Sequence, residues 1–263
     1  MKVTWYGNAS IRVEDEGASL LFDPFVPMPG ASYSLSLEDF LPAPVVLITH
    51  GHLDHAQSVP ALAQTGAEVV YATAAPCKNL GNLGVPQENL RVIKPGCQLS
   101  FDNALGKREV TVTVRCGKHI HFDTLLVLRT ILSPQVLRYR KNASALLANN
   151  KIFTEDGETV VYEVSDGNKL ITLLGSLSLA NDESYALNPD LLILPYQGNS
   201  RLLPIALSIV EKLAPRAVML DHFDDAFPPI SRAIDVAPFV EAMARDYSDI
   251  PVIVPQKGVA YAV

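Results

Sequence analysis

Three of the chain's six histidines, together with an aspartate, stand in one short stretch, Thr49-His50-Gly51-His52-Leu53-Asp54-His55. Imidazole nitrogens and carboxylate oxygens are the usual protein ligands of zinc and similar borderline cations. A lone loop histidine is ordinarily a solvated side chain, but this clustering argues for ligation. His50 and His52 are two residues apart, which in extended backbone places both rings on one side. Asp54 and His55 follow on the loop and can point at a neighbouring position. The spacing suits two adjacent metal ions.

Such ligands need strand ends to hold them. Val45-Val46-Leu47-Ile48 reads as a short buried strand, and the chain turns polar from Thr49, so the motif leaves the core on a loop. Val110-Thr111-Val112-Thr113-Val114 alternates cleanly and carries Cys116-Gly117-Lys118-His119 to its end, which repeats the placement of His50; His121 lies just beyond. Residues 2–6, 10–13 and 18–22 form an opening meander that ends at Asp23-Pro24. Residues 25–41 are a proline- and glycine-bearing loop with a helical turn at 37–40. A helix over 58–66 followed by a strand over 68–72 makes an α/β unit. A helix over 74–83 and strands over 90–93 and 98–101 come next.

Residues 122–158 are expected to be a helical insertion, with Ser133-Pro134 as cap and first turn of a helix from Gln135 to Leu147. Two roles are open for it: a solvated surface helix, or a lid or dimer element whose Arg138, Arg140 and Lys141 meet an anionic substrate. Strands over 160–164 and 169–174 pair as a hairpin. The strand Leu191–Pro195 leads into the polar segment Tyr196 to Arg201, where Tyr196, Gln197, Asn199 and Arg201 are candidates for gripping a substrate. A helix over 204–213 precedes a strand over 217–220 that ends at Asp221-His222. A helix over 238–247 and two terminal strands close the chain.

With 263 residues, 48% of them hydrophobic, the chain can bury a sizeable core, and one domain over 1–263 is expected. A net charge of −7 works against non-specific attraction to nucleic acid or anionic membrane. The N-terminal residues lack the apolar run of a signal peptide and no stretch approaches a membrane span, so a cytoplasmic protein is expected. Cys77, Cys97 and Cys116 are odd in number and show no paired spacing, which suggests neither a disulfide framework nor a zinc ribbon.

Thr-His-Gly-His-Leu-Asp-His resembles the T-H-x-H-x-D-H signature of the metallo-β-lactamase-fold hydrolases. The Asp-Pro strand end, His119, the Gly175-Ser176 hairpin end and His222 occur in that family's order. The ascorbate-6-phosphate-lactonase-like branch is the nearest in pattern. The resemblance implies an α/β (α+β) fold, a four-layer αβ/βα sandwich of two mixed β-sheets flanked by helices, with the site at one edge. It implies that His50, His52 and His119 hold one ion, His121 being the competitor for the third place. Asp54, His55 and His222 then hold a second ion, or Asp54 serves as general base in a one-ion site. Zinc is the expected ion, one or two per chain, with manganese or iron as alternatives. Asp23 is either a turn residue before proline or a carboxylate that orients a metal-bound histidine.

Two positions depart from the pattern. Ser176 stands where the family has an aspartate that bridges two metals, and a hydroxyl carries no charge to offset two dications; Asp182, downstream, is either a substitute or an exposed loop carboxylate. Asn8 stands where many members of the branch have histidine, and its amide can still contact substrate. The function implied is metal-dependent hydrolysis of a small-molecule ester, lactone or phosphoester by metal-activated water. The alternatives are a metal-binding or ligand-sensing protein that has lost turnover, or redox chemistry at iron. The expected partner is a small-molecule substrate, with homo-oligomerisation left open.

Overall fold

A computed structural model of the chain describes residues 1–102 and 109–263. Among them, fourteen strands form two seven-stranded sheets. The N-terminal half supplies β1 (Lys2–Gly7), β2 (Ser10–Asp15), β3 (Ala18–Phe22), β4 (Val45–Leu47), β5 (Val69–Ala72) and β6 (Leu90–Val92) to the first sheet. The second sheet takes β7 (Gln98–Asp102), β8 (Glu109–Cys116), β9 (Val160–Ser165), β10 (Leu170–Leu174), β11 (Leu191–Pro195), β12 (Val218–Asp221) and β13 (Val252–Ile253). The last strand, β14 (Ala260–Ala262), returns to the first sheet and pairs antiparallel with β1.

Both sheets have the same plan. An antiparallel meander, β1 to β3 or β7 to β10, gives way to parallel strands, β3, β4, β5 and β6 in one sheet and β10, β11, β12 and β13 in the other, with α-helices linking β4 to β5, β5 to β6, β11 to β12 and β12 to β13. Parallel strands must be covered on both faces, and their residues alternate accordingly. Leu47 of β4 and Ile193 of β11 join the core between the sheets, with Trp5, Phe22 and Tyr162. Val46 of β4 packs outward with Leu62 and Leu80, from helices Val59–Thr65 and Ala74–Asn82. Leu192 and Leu194 of β11 pack outward against helices Leu202–Leu213 and Ala237–Asp246. The result is the expected four-layer sandwich. No helix of the described residues is long and apolar enough to cross a membrane.

The insertion between β8 and β9 is helical, as expected, but its segmentation differs. A helix over Thr124–Ile131, which the sequence reading left out, comes first, its N-terminus capped by the Asp123 carboxylate on the amides of Leu125 and Leu126 at 3.0 and 3.1 Å. The expected helix from Gln135 to Leu147 is two, Pro134–Arg138 and Arg140–Asn149, broken at Tyr139. The cause is tertiary. Tyr139 lies so close to Gly30 that a Cβ added there would sit 2.3 Å from the ring, so the tyrosine is fixed by the loop below it.

Beside that contact, Asn142 is 7% exposed and its amide donates to the carbonyls of Pro29 and Pro228 at 2.8 and 2.9 Å. A buried amide holding two loops anchors the insertion to the body. Asn142→Ala strands both carbonyls, at a cost of about 1–3 kcal/mol. Hydrogen exchange over 140–149 should then quicken by about tenfold, and unchanged exchange there would show that the anchor lies elsewhere.

Candidate metal centre

β4 ends at Leu47, and the motif follows immediately, with His50 1% exposed. Glycine is required at position 51, because a Cβ there would lie 2.1 Å from the carbonyl oxygen of Thr154. His52 sits at the start of a four-residue helix, Leu53–Ala56, whose first turn presents Asp54 and His55. His119 arrives past the end of β8, and His222 past the end of β12 with a left-handed φ of 57°.

Two ligand sets result. In His50, His52 and His119 the donor atoms all lie within 4.8 Å of one another, and the same holds for Asp54, His55 and His222. The sets adjoin: the rings of His50, in the first, and His55, in the second, are 3.9 Å apart between centroids. His121 is in neither set. Its side chain is exposed, and its carbonyl accepts a hydrogen bond from the Asn199 amide, so the structure brings His119 to the cluster and leaves His121 outside.

One carboxylate sets much of this geometry. Asp23, fully buried at the end of β3, accepts from the Thr49 amide at 2.8 Å and from the Thr49 hydroxyl at 2.6 Å. Its Oδ2 also lies 2.8 Å from His55 Nδ1, which turns His55 Nε2 toward Asp54. Of the two readings offered for Asp23, orientation of a histidine is the one the geometry shows. Asn8 is corrected more sharply. It does not face the cavity; its side chain donates to the Asp54 carbonyl at 2.7 Å, and its own carbonyl accepts from the His222 amide at 2.9 Å. It therefore ties together the two chain segments that carry Asp54 and His222.

The electrostatics suit a cation. Burial, then repulsion from neighbouring imidazoles, holds His50 well below the usual histidine range. Burial lowers His52 as well and brings His119 down to about 4. These three rings are therefore neutral at pH 7, with nitrogen lone pairs available. Burial would push the Asp54 carboxyl up, but His55 and His222 outweigh it and hold it far below the usual carboxylate range. Burial would lower His222, yet its 3.0 Å pairing with Asp54 raises it. His50 Nε2 and His52 Nδ1 face each other at 3.1 Å, and His222 Nδ1 is buried without a partner among the described residues. Crowded neutral imidazoles beside an ionised carboxylate are the donor set a dication completes, so the residues fit the metal that the motif implies.

Both sets open on a cavity of about 480 Å³. Ser176 and Gln197 line it, and Ser176 Oγ accepts from the Ile120 amide at 2.9 Å. The other substrate-gripping candidates do not reach it. Tyr196 packs into the core against Phe239, Asn199 is spent on His121, and Arg201 is exposed. Asp182 is exposed and is no substitute for a bridging carboxylate. The far wall is the insertion, through Ile131, Val136, Ala143, Leu146 and Leu147. Sequence reasoning missed these residues, although Ala143, Leu146, Leu147 and Asn150 keep the spacing of one helix face. Arg138, Arg140 and Lys141 lie outside this cavity, so of the two roles open for the insertion, the one that sets these residues against an anionic substrate is not met there.

Comparison with known proteins agrees with this architecture. A family profile described as the β-lactamase superfamily domain matches residues 2–220. A metal-dependent hydrolase from Methylobacterium nodulans is 28% identical over 277 aligned residues, covering 100% of both chains. Among solved structures, Igni18, a metallo hydrolase from Ignicoccus hospitalis, superposes with a TM-score of 0.64 at 18% identity over 100% of this chain and 98% of its own. CmlA, a diiron β-hydroxylase from Streptomyces venezuelae, gives 0.60 at 14% identity over 96% of this chain and 52% of its own. With its histidine motif at a strand end and its paired mixed sheets, the chain belongs to the metallo-β-lactamase-fold superfamily.

Proposed function

We propose that the chain is a metal-dependent hydrolase of a small-molecule ester, lactone or phosphoester, with His50, His52 and His119 holding one ion and Asp54, His55 and His222 a second. The observation that carries this reading is the pair of adjoining three-ligand sets in one wall of a substrate-sized cavity. The relative from Methylobacterium nodulans, a metal-dependent hydrolase along its whole length, supports it. A bound dication supplies Lewis acidity, lowering the pKa of water toward neutrality and polarising the scissile bond.

The protein's own groups do the rest. Asp23 fixes the tautomer and tilt of His55, and through Thr49 it steadies His50, whose Nδ1 lies 3.1 Å from that hydroxyl. Asp54 brings the negative charge of the second set; in a one-ion site the same carboxylate is placed to accept a proton from water. Gln197 offers an amide to the substrate from the cavity wall. A set of imidazoles with one carboxylate suits zinc, and it also suits manganese or iron. One observation favours a second reading, binding without turnover: Ser176 brings no charge between the two sets.

Metal content measured by mass spectrometry, together with turnover on a panel of lactones, esters and phosphodiesters, separates these readings. His50→Ala and His52→Ala should each lose bound ion and at least about a hundredfold in kcat/KM, and a chelator should abolish activity until zinc, manganese or iron is returned. Metal bound by the wild type with no turnover on any substrate supports the second reading. Activity that survives chelation in the His50→Ala variant removes both.

Ser176→Asp tests the charge balance directly. A carboxylate on this wall should tighten the second ion by about tenfold or more, read by zinc titration against a chelating dye. Unchanged affinity would show that position 176 does not face the second ion.

A further inference from the structure

The cavity is sharply divided. One end holds the five histidines and Asp54, with Ser176 and Gln197 beside them. The remaining wall is mostly apolar: Ile131, Val136, Leu146 and Leu147 of the insertion face Ile120 and Phe227 of the body, with Thr130 and Asn150 as its uncharged polar members. No lysine or arginine lines it among the described residues. A phosphorylated substrate would bring a second charged group into such a space with nothing on the protein to pair it, and burying an unpaired charge is costly. A neutral acyl chain or aryl ring gains by leaving water for the same wall. Gln197, whose buried Oε1 has no partner among the described residues, presents a neutral acceptor on this wall, which an anionic group does not satisfy.

Building on the hydrolase reading above, we infer that the cavity selects a neutral carboxylic ester, lactone or thioester bearing a medium-length acyl chain or an aryl group, held under the apolar face of the insertion. In the reaction the oxygen of water bonds to the acyl carbon and the acyl to oxygen or sulfur bond breaks. One proton of the water ends on the departing alcohol or thiol, and the other product is the carboxylic acid. No oxidant or reductant is consumed. The insertion is then the element that sets specificity, and the histidines are indifferent to chain length.

A chain-length series tests this. 4-Nitrophenyl esters from acetate to decanoate, assayed on the metal-loaded protein beside bis(4-nitrophenyl) phosphate, should show kcat/KM rising about fourfold per methylene, the equivalent of about 0.8 kcal/mol, until the cavity is full. A flat or falling series, or a preference for the phosphodiester over the longer esters, overturns the inference and leaves the hydrolase reading standing. If no substrate is turned over, calorimetric binding of unbranched alkanamides of the same lengths decides it. A comparable tightening per methylene upholds the apolar site even though the hydrolase reading has failed, and length-independent binding overturns it. Ile131→Asp alters a residue that is 64% exposed on a surface helix, so the fold is expected to survive and can be checked by circular dichroism. That variant should flatten the series in whichever assay reports it, and an unchanged slope in a folded variant counts against the insertion as the acyl wall.

Discussion

A single fully buried carboxylate, Asp23, is the constraint on which the site depends. Its oxygens are taken by the amide and hydroxyl of Thr49 and by His55 Nδ1, and these partners come from two further stretches of chain. A buried carboxylate that loses one such partner pays much of its desolvation cost unrelieved, so the three contacts stand or fall together. They fix the end of β3 against the end of β4 and against the short helix carrying His55. Thr49 is pressed from the other side by Gly175, where a Cβ would come within 2.5 Å of the threonine Cβ, so the end of β10 is locked to the same point. The position of His50 is therefore set by packing and hydrogen bonds before any ion arrives.

The sheet topology explains why distant residues meet there. In the second sheet β10, β11 and β12 are parallel, and β8, two antiparallel steps from β10, runs in the same direction. Their C-terminal ends thus lie along one edge and deliver His119, Ser176, Gln197 and His222. The first sheet has β3 and β4 parallel, and their ends deliver Asp23 and His50. A parallel sheet turns sequence-distant strand ends into neighbours, which is why open sheets gather ligands at that edge. Asn8, in the turn between β1 and β2, then stitches the two halves: it holds the Asp54 segment with its side chain and the His222 segment with its backbone.

The local parts of this arrangement were legible in the sequence and the facing of side chains was not. The strand before His50 announces itself by a run of mostly β-branched residues, the same signal precedes His119, and an apolar run, Ala217-Val218-Met219-Leu220, precedes His222. Whether His119 or His121 turned inward was open, because that depends on where the chain leaves β8, and a contact from Asn199 holds the segment at 121 outside. Tyr196 and Gln197 are adjacent at a strand end, so they point to opposite sides. Only the three-dimensional structure shows that the helix layer takes the tyrosine and the cavity takes the glutamine. In the insertion, composition drew attention to Arg138, Arg140 and Lys141. The buried amide of Asn142 instead decides the rotation of that segment, and it turns Ala143, Leu146 and Leu147 toward the metal-ligand sets.

Burial of the ligand groups themselves sets the electrostatics of the site. It lowers the effective dielectric, so every charge beside the histidines counts for more than it would at an open surface. Six ligand groups carry one carboxylate between them, Asp54, and two dications would bring four positive charges against it. With Ser176 neutral and Asp182 outside, nothing else in the cavity wall among the described residues would lower the repulsion between two ions held by rings that are in contact. The first ion therefore raises the cost of the second. On the two-ion reading proposed above, the two sets, though alike in the number and spacing of their donors, would be unequal in affinity: the neutral three-histidine set has no proton to displace, whereas the other would have to give up the pairing of His222 with Asp54 to take a cation.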